Sequence, residues 1–255
     1  MRLREYSEQV PKPMVPVGSR PILWHLMRYY TYYGHNDFIL CLGYQANVIR
    51  HYFQNNGEAL LKDLTPGTDR AAIRRLRREI ADWKITFAET GIETNIAGRL
   101  CAVKKHLEGE EVFLANYADG LCDLPLDRYL ERFVHSNAIA KFINVRPTTS
   151  FHIVDMQDDG IVTRVQDLST SGIMMNGGFF AFRSEIFDYI KEGEEIVNEP
   201  FERLIQEKRL TAERYDGFWM SMDTFKDKQL LDDLYSSGAA PWELRSKSLP
   251  HRSDS

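Results

Sequence analysis

Apolar and polar positions alternate along the chain between helical and strand-like spacing. Residues 21–34 carry apolar side chains at helical intervals between Pro21 and Gly34, and a short apolar run follows at 38–42. Proline is tolerated in the first turn of a helix and glycine commonly ends one, so this pattern predicts a helix followed by a buried parallel strand. Its continuation predicts an α/β fold with a doubly wound sheet. The further helices are predicted at 45–53, 102–107 and 126–135, and the further strands at 83–87, 112–116 and 138–145.

The pattern changes after residue 146, where short strands separated by turn residues replace the longer alternation. This predicts a small β-rich region at about 146–215 inside a single domain that spans residues 1–245. The polar segment 246–255 is expected to be a disordered tail. The later strands are predicted at 151–154, 161–166 and 179–182, and the later helices at 185–190, 201–208 and 225–236.

One segment, 57–80, does not follow the alternation and carries a run of arginines between 70 and 78. A solvated insertion helix with a basic face explains it, and so does a subunit contact or an anionic ligand site. The sequence leaves these alternatives open.

Composition narrows the class of protein. Of the 255 residues 43% are hydrophobic, which supports a full core, and the net charge of −5 gives no case for a nucleic-acid partner. The three cysteines have neither metal-ligand nor disulfide spacing, which suits a reducing cytosol. No apolar run approaches the length of a membrane span, and the N-terminus lacks a signal-peptide pattern. We therefore expect a cytoplasmic protein without a membrane partner.

Two aspartates follow or precede predicted elements at places suited to a metal. Asp119 comes just after the strand 112–116, and Asp223 comes just before the helix 225–236. Ligands of open α/β sheets bind beyond the carboxyl ends of strands, and carboxylates there can hold Mg²⁺ between phosphates. The alternatives are a turn aspartate that caps a helix for Asp119 and a helix N-cap for Asp223.

Lys12 stands between Pro11 and Pro13. The two prolines restrict the backbone and are expected to keep this loop from becoming helical. A stiff loop is a good support for a cation that meets a phosphate, although an exposed lysine in a proline-rich turn fits equally well.

Two loops could admit a ligand. Residues 90–99 are rich in small and hydroxyl side chains, which would let a base or ribose approach the backbone, and the following helix N-terminus could favour an anion. In 175–180, Gly177 and Gly178 would permit close approach of a ligand or of another backbone, and Asn176 could bond a sugar hydroxyl. An ordinary connecting loop and a β-bulge are the respective alternatives.

These five pieces, in this order, resemble the sugar-1-phosphate nucleotidyltransferase family, and most nearly its glucose-1-phosphate cytidylyltransferases. The resemblance extends from Arg2 to about Trp242. The matching motifs are PKPM, TGIETNIAGR, FLANYADG, MNGGFF and GFWMSMDT.

The resemblance implies a fold and a reaction. The fold would be a Rossmann-like nucleotidyltransferase domain, with a mixed sheet and a small β-rich sugar-binding region. A sugar-1-phosphate oxygen would attack the α-phosphorus of a nucleoside triphosphate, expected to be CTP, and release pyrophosphate. Catalysis of such a transfer is mostly positioning and charge neutralisation. A homo-oligomer and a role in making surface polysaccharide or glycoconjugate would also fit.

The resemblance also implies roles for individual residues. Arg2 would contact the triphosphate and Lys12 would neutralise charge near the transferred phosphate. Asp119 and Asp223 would hold Mg²⁺. The nucleotide pocket would be lined by Thr94, Arg99 and Ala118, and the sugar would bind at Asn176 and Gly177.

The sequence departs from the family pattern in three places. Of the family's Gly-Gly-x-Gly-Thr-Arg-Leu loop only Arg2 and Leu3 are present, so we expect either a mis-assigned start codon or truncated chain, or a non-catalytic homologue that binds a nucleotide or nucleotide sugar. Leu168 stands where the family has a lysine that meets the sugar phosphate, so the acceptor differs or another cation substitutes. Candidate substitutes are Arg146 and His152. Alanine replaces the usual glycine at positions 97 and 118.

Overall fold

The computed structural model describes residues 10–54, 81–148 and 151–244. Three expectations therefore lie outside the described residues: the role of Arg2, the nature of the segment 57–80 and the tail 246–255. The chain divides into two compact units. The first unit comprises Met1–Glu108, Ala118–Asp123 and Ser221–Ser255, and the second comprises Gly109–Tyr117 and Leu124–Met220.

Strands and helices alternate through the described residues. The strands are β1 (Pro16–Val17), β2 (Arg20–Pro21), β3 (Asp37–Leu42), β4 (Lys84–Glu89), β5 (Val112–Asn116), β6 (Gly120–Cys122), β7 (Ala140–Val145), β8 (His152–Met156), β9 (Val162–Asp167), β10 (Met175–Arg183), β11 (Leu210–Arg214) and β12 (Trp219–Ser221). The α-helices are α1 (Ile22–Tyr32), α2 (Ala46–Gln54), α3 (Ile96–Val103), α4 (Leu126–Val134), α5 (Glu199–Gln206) and α6 (Phe225–Ser236). Short 3₁₀ turns occupy Lys12–Met14, Lys104–His106, Leu168–Thr170 and Ser184–Asp188.

Most of the predicted elements are confirmed within a few residues, and two helices are not. The helix predicted at 102–107 begins earlier, at Ile96, because Asn95 caps it by accepting a hydrogen bond from the Gly98 N–H at 2.9 Å. The helix predicted at 185–190 is a 3₁₀ turn. The sequence did not predict the short strands β1, β2, β6, β11 and β12, since two to five residues carry too little periodic signal.

The first unit is built on a parallel strand pair. β3 and β4 pair in parallel along their whole length, which confirms the parallel strand predicted at 38–42. Their burial is only partial, with Leu42 the one fully buried residue of β3. Helices α1 and α2 pack with the pair, and the carboxyl ends of β3 and β4 lie at one edge. The buried cluster that joins these elements contains Met14, Leu23, Trp24, Met27, Leu42, Ile49 and Phe53.

The second unit is built on a four-stranded mixed sheet in the order β11-β7-β10-β5. β10 runs antiparallel to both β5 and β7, while β11 runs parallel to β7. Helix α4 covers part of the sheet, and its Tyr129 hydroxyl donates to the carbonyl oxygens of Lys141 and Phe179. β8 and β9 form a separate antiparallel hairpin.

His25, on α1, is a buried histidine that is only 1% exposed. Its Nδ1 lies 3.3 Å from the Trp242 Nε1, and its Nε2 lies 2.9 Å from the Val17 carbonyl oxygen. Because an indole N–H can only donate, Nδ1 is the acceptor and Nε2 carries the proton. Burial, assisted by Arg28 and Arg20, lowers the pKa of His25 to about 4 against the opposing effect of the Val17 bond.

This buried imidazole should make the protein sensitive to mild acid. The folded state resists protonation of His25 between its unfolded pKa of about 6.5 and its folded pKa of about 4, so stability present above pH 6.5 is lost as the pH falls through that window. The expected loss is roughly 3 kcal/mol, at 1.36 kcal/mol for each unit of pKa difference. Urea unfolding at pH 7 and pH 4.5 measures it. His25→Gln should flatten the dependence, whereas substitution of the exposed His106 should leave it; equal slopes in all three proteins would contradict the assignment.

Candidate active site

Three charged side chains that are distant in sequence meet in the first unit. The Lys12 Nζ donates to Asp119 Oδ2 at 2.6 Å and to Asp223 Oδ1 at 2.7 Å. We call this group the Lys12 cluster. The structure thus brings together three of the residues that the sequence singled out, in the arrangement of one cation shared by two carboxylates.

Lys12 is carried by a short 3₁₀ turn that follows Pro11. The Met14 N–H donates to the Pro11 carbonyl oxygen at 2.7 Å, and the buried Met14 side chain anchors the turn in the core. The expectation that the prolines keep this loop from being helical is therefore wrong for a single turn. Proline is compatible with the first turn of a helix, where its missing N–H would have no partner.

Asp119 lies in the turn between β5 and β6. A strand, not a helix, follows it, so the alternative that it caps a helix is excluded. Its carbonyl oxygen accepts a hydrogen bond from the N–H of Met222 at 2.8 Å. Because Met222 is fully buried and directly precedes Asp223, this bond fixes the two aspartate-bearing segments to each other.

Asp223 is not the N-cap of α6. Thr224 is the N-cap, and it forms a reciprocal capping box with Asp227. The Asp223 carboxylate instead accepts a hydrogen bond from the Ser221 hydroxyl at its Oδ2, at 2.6 Å, while Oδ1 binds Lys12. The Asp223 N–H donates to Asp227 Oδ2 at 3.1 Å. The capping network therefore leaves the Asp223 carboxylate directed into the cluster.

Two members of the Lys12 cluster, Lys12 and Asp223, have pKa values shifted by their surroundings. Burial is the largest single effect on Lys12 and lowers its pKa, but the hydrogen bonds and charges of Asp119 and Asp223 outweigh it and raise the pKa above 10.5. For Asp223, burial raises the pKa, and the bonds from Lys12 and Ser221 outweigh it, so the pKa lies below 3.8. Lys12 is consequently a cation and Asp223 an anion across the physiological range.

The residues expected to line a nucleotide pocket also lie in the first unit. The Arg99 guanidinium donates to Thr90 Oγ1 at 2.6 Å, and the Thr94 hydroxyl donates to the Thr90 carbonyl oxygen at 2.5 Å. The buried Thr90 hydroxyl itself donates to the carbonyl oxygen of Leu42, the last residue of β3. Thr90 thus joins the segment after β4 to the end of β3, and Arg99 and Thr94 both bond to Thr90. Ala118 packs against the apolar cluster of this unit.

Gly43 is a residue of this region that sequence reasoning did not single out. A Cβ there would lie 2.9 Å from Arg99 Nη2 and 2.9 Å from the Gly91 carbonyl oxygen. Only glycine lets the Arg99 side chain approach the backbone this closely. The available signal was a glycine directly after a predicted strand.

Asn176 and Gly177 lie in the second unit, at an irregularity in β10. The register against β7 shifts between Asn176 and Phe180, so the β-bulge alternative is confirmed. The Asn176 Oδ1 accepts from the Gly178 N–H at 2.8 Å, and a Cβ on Gly177 would lie 2.6 Å from Ile143 Cγ1. Packing against Ile143 therefore explains why position 177 is a glycine. Sugar binding at Asn176 and Gly177 remains a prediction.

The positions that depart from the family pattern in the sugar region lie in the second unit. Leu168 begins a 3₁₀ turn capped by Asp167. Of the candidate substitutes for the missing lysine, Arg146 pairs with Asp216 at 3.2 Å, and His152 is exposed and lies opposite Asp167 in the β8–β9 ladder. The structure does not assign either one to a phosphate.

Other chemical features are few in the described part of the chain. In residues 10–54, 81–148 and 151–244, no three or more His, Cys, Asp or Glu side chains group as metal ligands. None of the cysteines Cys41, Cys101 and Cys122 takes part in a disulfide among these residues, and Cys122 is the buried one. No helix among these residues is both long enough and apolar enough to cross a bilayer.

Comparison with known proteins connects this site to a family. The nucleotidyl transferase family profile matches residues 1–231. The chain is 34% identical over 245 residues to a protein of Bacillus subtilis (strain 168) named probable glucose-1-phosphate cytidylyltransferase, with 95% of each chain covered. It is 33% identical over 243 residues to glucose-1-phosphate cytidylyltransferase of Salmonella typhi, covering 95% of this chain and 94% of that one.

Solved structures agree on the fold. UDP-glucose pyrophosphorylase from Acinetobacter baumannii matches with a TM-score of 0.64 at 18% identity, over 90% of this chain and 87% of that one. HddC from Yersinia pseudotuberculosis matches with a TM-score of 0.61 at 18% identity, over 92% and 94%. The predicted α/β nucleotidyltransferase fold with a mixed sheet is confirmed. The chain belongs to the nucleotidyl transferase family, as a sugar-1-phosphate nucleotidyltransferase.

Proposed function

We propose that this protein transfers the cytidylyl group of CTP to glucose-1-phosphate, giving CDP-glucose and pyrophosphate. The observation that carries the proposal is the convergence of Lys12 with Asp119 and Asp223, in a chain that resembles two glucose-1-phosphate cytidylyltransferases over nearly its whole length. A cation placed beside two carboxylates suits an in-line transfer at phosphorus, which needs charge neutralisation more than covalent catalysis.

In this proposal Lys12 meets the phosphate being transferred. It is a cation at neutral pH, it stands on a short rigid turn, and its side chain is one-third exposed rather than sealed in the core. A sugar-1-phosphate oxygen attacks the α-phosphorus while pyrophosphate leaves. Negative charge that develops on the phosphoryl oxygens is stabilised by the ammonium. Arg2 is proposed to contact the triphosphate.

Asp119 and Asp223 fit a magnesium ion. Mg²⁺ is typically held by one or two carboxylates together with substrate phosphates and water. The two side chains already share one cation, the Lys12 ammonium, and a triphosphate with water would complete the remaining ligand positions. When bound, Mg²⁺ supplies neutralisation of triphosphate charge.

The binding roles follow the same logic. The segments after β3 and β4, which Thr90 joins, are proposed to receive the base and ribose, with Thr94, Arg99 and Ala118 lining the pocket. Asn176 and Gly177 are proposed to receive the sugar. Leu168, in place of a lysine, bears on the choice of sugar phosphate and not on nucleotidyl transfer itself. The described cysteines, none of which is in a disulfide, support a cytoplasmic location. We further propose that the protein forms a homo-oligomer and that it acts in polysaccharide biosynthesis.

A substrate matrix tests the proposal. Pyrophosphate release is measured for the full natural protein with CTP, UTP, dTTP, GTP and ATP, each against glucose-, galactose-, mannose- and N-acetylglucosamine-1-phosphate. CTP with glucose-1-phosphate should give the highest kcat/KM. Asp119→Asn, which removes one carboxylate charge, should lose this activity. Thermal stabilisation by CTP without turnover in any pair would instead support a non-catalytic homologue and overturn the proposal.

A further inference from the structure

Ser221 is a residue next to the Lys12 cluster to which neither the sequence motifs nor the resemblance gives a role. We propose that Ser221 is a positioning residue that makes Asp223 present one oxygen only to the cation site, and that it thereby favours Mg²⁺ over Ca²⁺. This inference rests on the proposed function, in which a divalent cation binds at Asp119 and Asp223.

The two oxygens of Asp223 have different partners. Oδ2 accepts the Ser221 hydroxyl at 2.6 Å, and Oδ1 accepts from Lys12 Nζ at 2.7 Å. Hydrogen bonds between a hydroxyl and a carboxylate are among the short and strong ones. Ser221 thus holds Oδ2 on the side of β12 and leaves Oδ1 as the oxygen that faces the Lys12 ammonium.

The backbone around Asp223 is fixed without help from Ser221. Asp227 accepts the N–H of Asp223 and that of Thr224, and the N–H of Met222 donates to Asp119. What remains free to vary is rotation of the Asp223 side chain. This side chain is 58% exposed, so water would compete for its oxygens if the serine hydroxyl were removed. Ser221 and Lys12 therefore hold the carboxylate at its two oxygens, and Ser221 is the side chain that engages Oδ2.

Orientation of a carboxylate bears on the choice of cation. Mg²⁺ requires near-octahedral geometry at about 2.0–2.1 Å, whereas Ca²⁺ takes about 6–8 oxygens at about 2.3–2.6 Å and accepts bidentate carboxylates. A carboxylate with one oxygen engaged by a hydroxyl favours coordination through its other oxygen alone. Freed of that bond, Asp223 could offer both oxygens, which suits the larger ion.

The test compares Ser221→Ala with the hydroxyl-retaining Ser221→Thr in the full natural protein. Binding of Mn²⁺ is followed by electron paramagnetic resonance in the presence of CTP alone, and Mg²⁺ and Ca²⁺ are titrated as competitors. Ser221→Ala should weaken Mg²⁺ about tenfold, at the low end of what loss of an outer partner of a metal ligand costs, and Ca²⁺ clearly less. Ser221→Thr should restore the selectivity of the unsubstituted protein. A matched control is Ser237→Ala, since the Ser237 hydroxyl donates to the Leu234 carbonyl oxygen at the end of α6.

The outcomes separate this inference from the proposed function. If the unsubstituted protein binds Mn²⁺ and Asp119→Asn abolishes binding, the cation site stands. An unchanged ratio of Mg²⁺ to Ca²⁺ affinity in Ser221→Ala then overturns only the role of Ser221, as does a Ser221→Thr variant that behaves like the alanine variant. If the unsubstituted protein with CTP binds no more Mn²⁺ than CTP binds without the protein, the proposed cation site and the role of Ser221 are both wrong.

Discussion

Lys12→Met is expected to lower kcat for nucleotidyl transfer by about 10²–10³-fold, the usual cost of removing one group that stabilises developing charge. Methionine keeps most of the length of the side chain and removes the ammonium. The two carboxylates that now share this cation would then face each other without it. Single-turnover pyrophosphate release separates the chemical step from binding, and the loss should appear in kcat more than in KM.

The Lys12→Met experiment has a matched control, Lys228→Met, and a second readout, the melting temperature. Lys228→Met removes another lysine of the first unit, one that pairs with Asp232 at i,i+4 on α6, and it should leave kcat unchanged. Mg²⁺ should raise the melting temperature of Lys12→Met more than that of the unsubstituted protein, because it would replace the missing positive charge. A folded Lys12→Met protein with full activity would mean that these ion pairs serve stability alone.

Gly178→Ala is expected to destabilise the protein by about 3 kcal/mol, through a left-handed backbone conformation combined with overpacking. Gly178 has φ of +73°, and a Cβ there would lie 2.5 Å from the Tyr117 Cδ2. The Tyr117 ring has little freedom to move away, since it packs edge-on against Phe180 and the Tyr117 N–H donates to the Gly178 carbonyl oxygen. Urea unfolding measures the change.

A matched glycine isolates the packing contribution. Gly172 has φ of +82°, but a Cβ there would meet no atom of the described residues within 4 Å apart from its chain neighbours. Gly172→Ala should therefore cost only about 1 kcal/mol, from backbone strain. Equal destabilisation by the two substitutions would show that the Tyr117 ring yields. A larger loss of unfolding free energy in Gly178→Ala than in Gly172→Ala would confirm that packing within the second unit holds the bulge beside Asn176. This conclusion would not depend on any ligand that binds at Asn176.

Most helices and strands of this protein could be predicted from its sequence. Helix α6 runs over the predicted residues, and β5 does too, because each has a long or strongly apolar pattern with clear boundaries. The predicted start of α3 is too late because residues 90–99 were interpreted as a loop, whereas Asn95 is the N-cap of a helix that begins at Ile96. Short strands such as β11 form through pairing with β7, which local sequence does not encode.

The candidate site shows the same division. Lys12, Asp119 and Asp223 were identified as charged residues at loop positions, and the resemblance gave them roles. The sequence could not exclude that the two aspartates are helix caps. An aspartate just before a helix can either cap that helix or bind a metal ion. The structure decided the matter for Asp223, because Thr224 and Asp227 form the cap instead.

What residue order alone determined is therefore the class of fold, the family and the charged groups that chemistry requires, since these depend on local pattern and on motifs. The tertiary structure alone decided which groups meet. It placed one ammonium between two carboxylates, turned Arg99 toward Thr90, and brought the Ser221 hydroxyl onto Asp223. Contacts between residues far apart in sequence form only when the chain folds. The sequence could therefore predict the individual residues of the Lys12 cluster but not their contacts.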